Sequence, residues 1–215
     1  GSEKRRLYFE HYLKQQHYFV RALYDVMDRV FILKVITLKV YSFISLLRFA
    51  KLSDVKVKTV ALSFYSADEE HFKAMFKIYS TTFDSLVPLN KVSLSFNHWK
   101  LVVSAWFRAR SLQKEEIQKL PLYMCLRLQD FYSCSAYLEI SQALKSKVIY
   151  LATDGHPGAL AILDGAENNH YKVVYASKAP INIFPLKINA YAGIFWGDNG
   201  KKNYEREGAV FEHSF

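Results

Sequence analysis

The sequence has few of the residues that a disulfide-stabilised or zinc-binding protein needs. Only two of its 215 residues are cysteines, Cys125 and Cys134, and they are nine positions apart. Two cysteines cannot form a disulfide framework, and no CxxC pair is present to hold a zinc ion. The pattern predicts free thiols, no metal site and an intracellular, reducing compartment.

Glycine and proline are also scarce, with eight and five residues respectively. The charged fraction is ordinary and the hydrophobic fraction is 51%, so disordered and fibrous classes are excluded and a complete core is expected. The chain starts with Gly1-Ser2 instead of Met, which is typical of a cloning remnant. We therefore expect a domain of a larger protein.

Residues 30–50 form an apolar run that is long enough to span a bilayer, but charged residues interrupt it. Lys34 and Lys39 lie inside this run, and each would cost about 2.5–3.5 kcal/mol at the centre of a bilayer. We predict no transmembrane segment here, and expect a buried strand followed by a buried helical segment.

Positive charge is concentrated in the first two thirds of the chain. Residues 1–150 contain 23 basic and 13 acidic residues, a net charge of +10, whereas residues 151–215 have a net charge of −1. Aromatic residues make up 16% of the chain and alternate with Lys and Arg in places. Such surfaces bind protein partners or nucleic acid. The candidate binding residues are Lys4, Arg5, Arg6, Trp106, Arg108 and Arg110.

Hydrophobic periodicity predicts an α+β fold. Residues 3–30 lack Gly and Pro and have apolar side chains at helical spacing, which predicts a long N-terminal amphipathic helix. Residues 55–65, 66–86 and 87–96 have the patterns of a strand, a helix and a strand, which together make a βαβ-like unit.

The part of the chain after Pro121 is predicted as a helix packed on a small antiparallel meander, because turn signals such as Asp-Gly and Asn-Gly separate its apolar runs. The polar segment 113–121 is the best internal boundary. It divides the chain into a basic region, 3–120, and a helix-plus-sheet region, 121–215, which could also form one continuous domain. The strands of the meander are expected at 147–154, 159–165, 170–177 and 185–196.

One set of residues has the composition of a thiol-dependent catalytic site. Such a site needs a cysteine at a helix N-terminus, a histidine as general base and a polar side chain that orients the histidine. Cys134 is predicted in the first turn of a helix, and His170 at the start of a strand. Asn189 or Asp198 follows them as the orienting group.

The motifs around these residues resemble those of the papain-like cysteine peptidases. Gln129 and the segment 133–137, Ser-Cys-Ser-Ala-Tyr, are similar to the nucleophile motif of that family. The Asn-His pair at 169–170 and the Trp-Gly-Asp-Asn-Gly segment at 196–200 are similar to its later motifs. The resemblance implies Cys134 as nucleophile and His170 as base, although only 36 positions separate them here.

Sequence motifs for nucleotide-driven or zinc-peptidase chemistry are absent, so no cofactor is expected. We expect a non-catalytic interaction domain of a larger protein. Its basic, aromatic-rich surface would bind a protein partner, a second copy of the chain or nucleic acid. The alternative is a divergent papain-like thiol hydrolase or acyl transferase, and whether the protein is an enzyme stays open at this point.

Overall fold

A computed structural model of the chain describes residues 18–79, 83–92, 98–153, 155–166, 168–178, 188–195 and 197–214. In these residues, helices and strands alternate along most of the chain. The helices are α1 (Tyr18–Arg29), α2 (Phe31–Phe49), α3 (Ser66–Tyr79), α4 (Trp99–Arg108), α5 (Lys114–Lys119), α6 (Leu122–Ser141), α7 (Pro157–Gly165) and α8 (Asp198–Arg206), with a 3-10 helix at Ala50–Asp54. The strands are β1 (Thr59–Ser63), β2 (Ser85–Pro88), β3 (Val148–Leu151), β4 (Lys172–Ala176), β5 (Asn189–Ile194) and β6 (Val210–Ser214).

The six strands form one sheet in the order β2-β1-β3-β4-β5-β6, and every neighbouring pair is parallel. Leu62 of β1 is in register with Val87 on one side and Leu151 on the other, so the sheet joins strands from both sides of Pro121. Parallel strands are covered on both faces and have nearly continuous apolar sequences, as in β1 and β4. The fold is therefore α/β, and the prediction of an α+β fold with an antiparallel meander is wrong.

The predicted meander fails because α7 connects β3 to β4 and α8 connects β5 to β6. Residues 159–165, predicted as a strand, belong to α7, which begins with Pro157 at its first position. The segment between β5 and β6 contains α8. Parallel strands need such crossovers, whereas hairpin turns can only join antiparallel strands. The Asp-Gly and Asn-Gly pairs at 164–165 and 199–200 lie inside helices instead of hairpin turns.

The apolar run at 30–50 forms a single helix, not the predicted strand and helix. Val30 has an extended backbone between α1 and α2. Lys34 is only 3% exposed, and its ammonium donates to the carbonyl of Leu120 at 2.5 Å and pairs with Asp28 at 2.6 Å. In the described residues no helix is long and apolar enough to cross a membrane, in agreement with the prediction for this run.

Helices cover both faces of the sheet. On one face α2, α4, α6 and α7 share the main core with the inward side chains of β1, β3 and β4. On the other face α3 packs Phe72 and Met75 against small residues of the sheet. Gly158 of α7 permits the close approach on the first face, because a Cβ there would lie 2.8 Å from ring atoms of Phe49 and Phe64.

Candidate functional site

The strand order creates a point in the sheet where chain connections diverge. From β1 the chain passes through α3 to β2 on one side, and β3 later pairs with the opposite side of β1. The helices that follow β1 and β3, α3 and α7, consequently lie on opposite faces. In open parallel sheets, ligands bind outside the carboxyl ends of the strands at such a point. A functional site is therefore expected at this carboxyl edge.

A buried ion pair organises the carboxyl edge. The carboxylate of Asp68, in the first turn of α3, is fully buried and accepts from the backbone amides of Phe64 and Tyr65 at 2.9 and 3.0 Å. Its other oxygen lies 2.5 Å from Nζ of Lys178, which follows β4. The pair thus links the ends of β1 and β4 across the end of β3. The Lys178 side chain is 32% exposed, so part of it reaches the solvent at this edge.

His156 caps the N-terminus of α7 at the end of β3. Its ring stacks on Phe64, with centroids 4.5 Å apart, and meets the ring of Tyr65 edge-on at 5.6 Å. Nδ1 accepts from the amide of Gly158 at 3.0 Å. Burial, followed by the charges of Arg127 and Arg48, lowers the pKa of His156 to about 3. The ring is therefore neutral at physiological pH, and its proton resides on Nε2, where it can be donated.

Three polar atoms near these groups are buried and have no hydrogen-bond partner within the described part of the chain: Oγ of Ser63, Nε of Arg48 and Nε2 of His71. Burial, followed by the charge of Lys178, lowers the pKa of His71. Arg127 donates to the carbonyl of Gly155, one residue before His156. Unpartnered buried polar atoms are unusual in proteins and are frequently completed by a ligand or water.

The carboxyl edge continues to β5 and β6, where a cavity of about 200 Å³ opens. Gly197 caps α8 there with φ +79°, a conformation that other residues rarely adopt. Three helices, α3, α7 and α8, thus begin at the same edge of the sheet, and helix N-termini attract negative charge. The cavity is lined by Phe195, Gly197, Asp198, Lys201 and Ser214.

The predicted nucleophile, Cys134, lies in the middle of α6 and not in the first turn of a helix. It is fully buried, with its sulfur 3.6 Å from a carboxylate oxygen of Asp130 and 3.9 Å from the hydroxyl of Ser45. Burial, followed by the charge of Asp130, raises the pKa of the thiol well above its usual value. A nucleophilic thiolate requires the opposite shift.

The other predicted catalytic residues lie at two different edges of the sheet. His170 precedes β4 and Asn189 begins β5, so both are at the amino edge, whereas Asp198 begins α8 at the carboxyl edge. A five-residue strand separates the two edges by about 16 Å. Within the described residues, the thiol of Cys134 makes its hydrogen bonds with Ser45 and Asp130. The structure does not bring the four residues together.

The predicted binding residues divide into three groups. Lys4, Arg5 and Arg6 lie outside the described residues. The indole of Trp106 donates to the carbonyl of Lys39, and Arg110 lies over the ring of Tyr132 and pairs with Glu116, so both predicted residues make internal contacts. Arg108 is exposed at the end of α4. Among the described residues no cluster of His, Cys, Asp and Glu could hold a metal ion.

The geometry of Cys134 predicts its chemical behaviour. In the folded protein at about pH 7, iodoacetamide should modify neither Cys134 nor Cys125, because both are buried and burial is the largest cause raising both pKa values. Both should react after unfolding in urea. Mass spectrometry of the native and unfolded protein distinguishes the two states. Rapid modification of Cys134 alone in the native protein would contradict this prediction.

Comparison of the chain with protein-family models, with curated proteins and with solved structures gives no match. The group with the most unusual environment is the set formed by Asp68, Lys178 and His156 at the ends of β1, β3 and β4.

Proposed function

We propose that the chain is a non-catalytic binding domain that holds a small, phosphate-bearing molecule at the carboxyl edge of its sheet. The observation that carries the proposal is the position of Lys178 and His156. Both lie at the carboxyl edge of the sheet, where the chain connections from β1 and β3 run to opposite sides. Asp68 fixes the position of the Lys178 ammonium, and the Gly158 amide fixes the orientation of the His156 ring. Preorganised donors of this kind reduce the ordering cost of binding.

A phosphate suits this edge for electrostatic and geometric reasons. Lys178 supplies a partly exposed positive charge, and Nε2 of His156 supplies a neutral donor. The N-terminal ends of α3 and α7 add partial positive charge. The ring of Tyr65 is 43% exposed and lies beside both His156 and Lys178, so it can pack against a sugar or base attached to the phosphate.

The described groups favour binding over catalysis at this edge. A histidine whose pKa is about 3 is a weak base at neutral pH, and Nδ1 of His156 already accepts a hydrogen bond. The carboxylate of Asp68 is occupied by two amides and an ammonium. The thiol-hydrolase alternative receives no support from the geometry, since Cys134 is buried and its pKa is raised.

Titration calorimetry tests the proposal with three probes: inorganic phosphate, a hexose phosphate and a nucleoside diphosphate. We expect at least one of the organic phosphates to bind more tightly than inorganic phosphate, because only the organic molecules can also contact Tyr65. The variant Lys178→Gln keeps a donor for Asp68 but removes the charge. It should weaken binding about tenfold or more, since hydrogen bonds to charged groups contribute about 1.5–3 kcal/mol.

A matched control is Lys145→Gln, because Lys145 is an exposed lysine shortly before β3, at the opposite edge of the sheet. This variant should bind each probe with unchanged affinity. Circular dichroism and thermal unfolding check that both variants remain folded. If no probe binds the wild-type protein, or if the two variants lose affinity equally, the carboxyl edge is not a phosphate site.

A further inference from the structure

α2 has apolar side chains on its solvent side as well as on the side that contributes Leu46 and Phe49 to the main core. Its buried side includes the polar residues Lys34, Ser42 and Ser45, which make hydrogen bonds with α6 and the loop before it. Its solvent side carries large aliphatic residues that are spaced about one helical turn apart. These are Ile32, Leu33, Ile36 and Val40, with Ile32 68% exposed. A surface helix normally presents charged and polar side chains to the solvent.

A neighbouring helix extends this apolar surface. Phe107 of α4 is 76% exposed, and its ring contacts the ring of Trp106 with centroids 5.1 Å apart. Trp106 in turn donates to the carbonyl of Lys39, the residue before Val40. The end of α4 that carries Phe107 therefore packs against α2 at Lys39. We call the set Ile32, Leu33, Ile36, Val40 and Phe107 the α2 face. Contiguous exposed apolar surfaces of this kind mark interaction sites.

The charged residues of α2 and α4 are all basic. α2 and α4 together contain Lys34, Lys39, Arg48, Lys100 and Arg108, and no acidic residue. The preceding helix α1 contributes Asp25 and Asp28, of which Asp28 pairs with Lys34. Lys39, Lys100 and Arg108 are exposed. An apolar surface with exposed basic side chains around it is complementary to a surface that is apolar beneath and negatively charged at its boundary.

We propose that the α2 face binds the surface of an anionic lipid bilayer, with the aliphatic side chains and Phe107 inserted at the interface and the basic residues against the headgroups. The bilayer is the occupant with the matching chemistry, because it buries exposed aliphatic chains without requiring a shaped partner and attracts each basic residue. This binding is peripheral and separate from the phosphate-bearing ligand at the carboxyl edge.

Other occupants fit the α2 face less well. A second copy of the chain would place the same basic residues against one another across an isologous contact, which like charges disfavour. Protein interfaces have Tyr, Trp and Arg as their usual anchors, while Leu and Val are under-represented among them. The α2 face consists mainly of aliphatic residues on the outside of a helix, which is typical of interfacial membrane binding.

Vesicle flotation with the full chain tests the proposal. The wild-type protein should float with vesicles made of equal parts of phosphatidylcholine and phosphatidylglycerol, and much less with phosphatidylcholine alone. The double variant Ile36→Gln with Phe107→Gln removes exposed apolar groups and should lower the partition coefficient about tenfold or more. The double variant Lys100→Gln with Arg108→Gln should lower it about fivefold per charge.

A control for nonspecific effects is Val210→Gln. Val210 is an exposed apolar residue on β6, the edge strand of the sheet, and is not part of the α2 face. It should float as the wild type does. Analytical ultracentrifugation without lipid reports self-association. The proposal is overturned if the wild-type protein floats with neither vesicle, or if the Ile36/Phe107 double variant floats unchanged. It is also overturned if that variant only abolishes a dimer without changing flotation.

Discussion

Replacing Asp68 by alanine is expected to lower the free energy of unfolding by about 3–4 kcal/mol. The substitution removes the acceptor for two backbone amides as well as the partner of Lys178. Hydrogen bonds to a charged group contribute about 1.5–3 kcal/mol each, and the amide of Phe64 would stay buried without a partner. The ion pair itself adds little to the loss, because the partly exposed Lys178 can turn to water.

Urea unfolding followed by circular dichroism measures this loss. The matched control is Glu70→Ala, since Glu70 is also acidic and near the start of α3 but is exposed. Its expected change is below about 0.5 kcal/mol. Asp68→Asn keeps an acceptor oxygen without the charge and should fall between the two. Equal losses for Asp68→Ala and Glu70→Ala would show that the buried carboxylate does not hold the carboxyl edge together.

Local signals in the sequence were sufficient to locate several elements of the sheet. The β-branched alternation of 55–65 predicts a strand, and β1 occupies Thr59–Ser63. The acidic start of 66–86 predicts a helix, and α3 begins at Ser66. The predicted strands at 147–154 and 170–177 contain β3 and β4. These assignments succeeded because they depend on side chains within one element.

The direction of the strands could not be predicted in this way, because it depends on what lies between them. The segment 159–165 is short and apolar throughout, and periodicity alone cannot distinguish a buried strand from a buried helix of that length. The signals for a helix were Pro157 at its first position and a capping side chain before it. When this segment is taken as a strand, β3 and β4 become separated by hairpin turns, and an antiparallel sheet follows.

The site was missed because its members are distant in sequence. His156 has the local pattern of a turn residue between two glycines, and nothing near it indicates that its ring stacks on Phe64, 92 positions earlier. Cys134 has the local pattern of a helix start, but α6 begins at Leu122, and the thiol is enclosed by Ser45 of α2. Reactivity depends on burial and charge, which tertiary packing decides.

The second large effect expected is a loss of stability in mild acid caused by His156. In the folded protein its pKa is about 3, because burial and the charges of Arg127 and Arg48 oppose protonation. In the unfolded chain the pKa is about 6.5. Between these values the unfolded state binds more protons, so stability falls as the pH falls. From about pH 7 to about pH 5, this single histidine should remove about 2 kcal/mol.

The variant His156→Asn isolates this contribution. Asparagine retains a cap acceptor for the amide of Gly158 but does not titrate, so its unfolding free energy should fall less over the same pH interval. The lowered pKa of His71 and the raised pKa of Asp130 affect the wild type and the variant equally. Their contributions therefore cancel when the unfolding free energy of one protein is subtracted from that of the other. That difference should change by about 2 kcal/mol between about pH 7 and about pH 5. A difference that is independent of pH would mean that His156 is protonated as easily in the folded protein as in water. In that case its ring would be a cation at the carboxyl edge in mild acid, and Nδ1 would no longer be able to accept the hydrogen bond from the Gly158 amide.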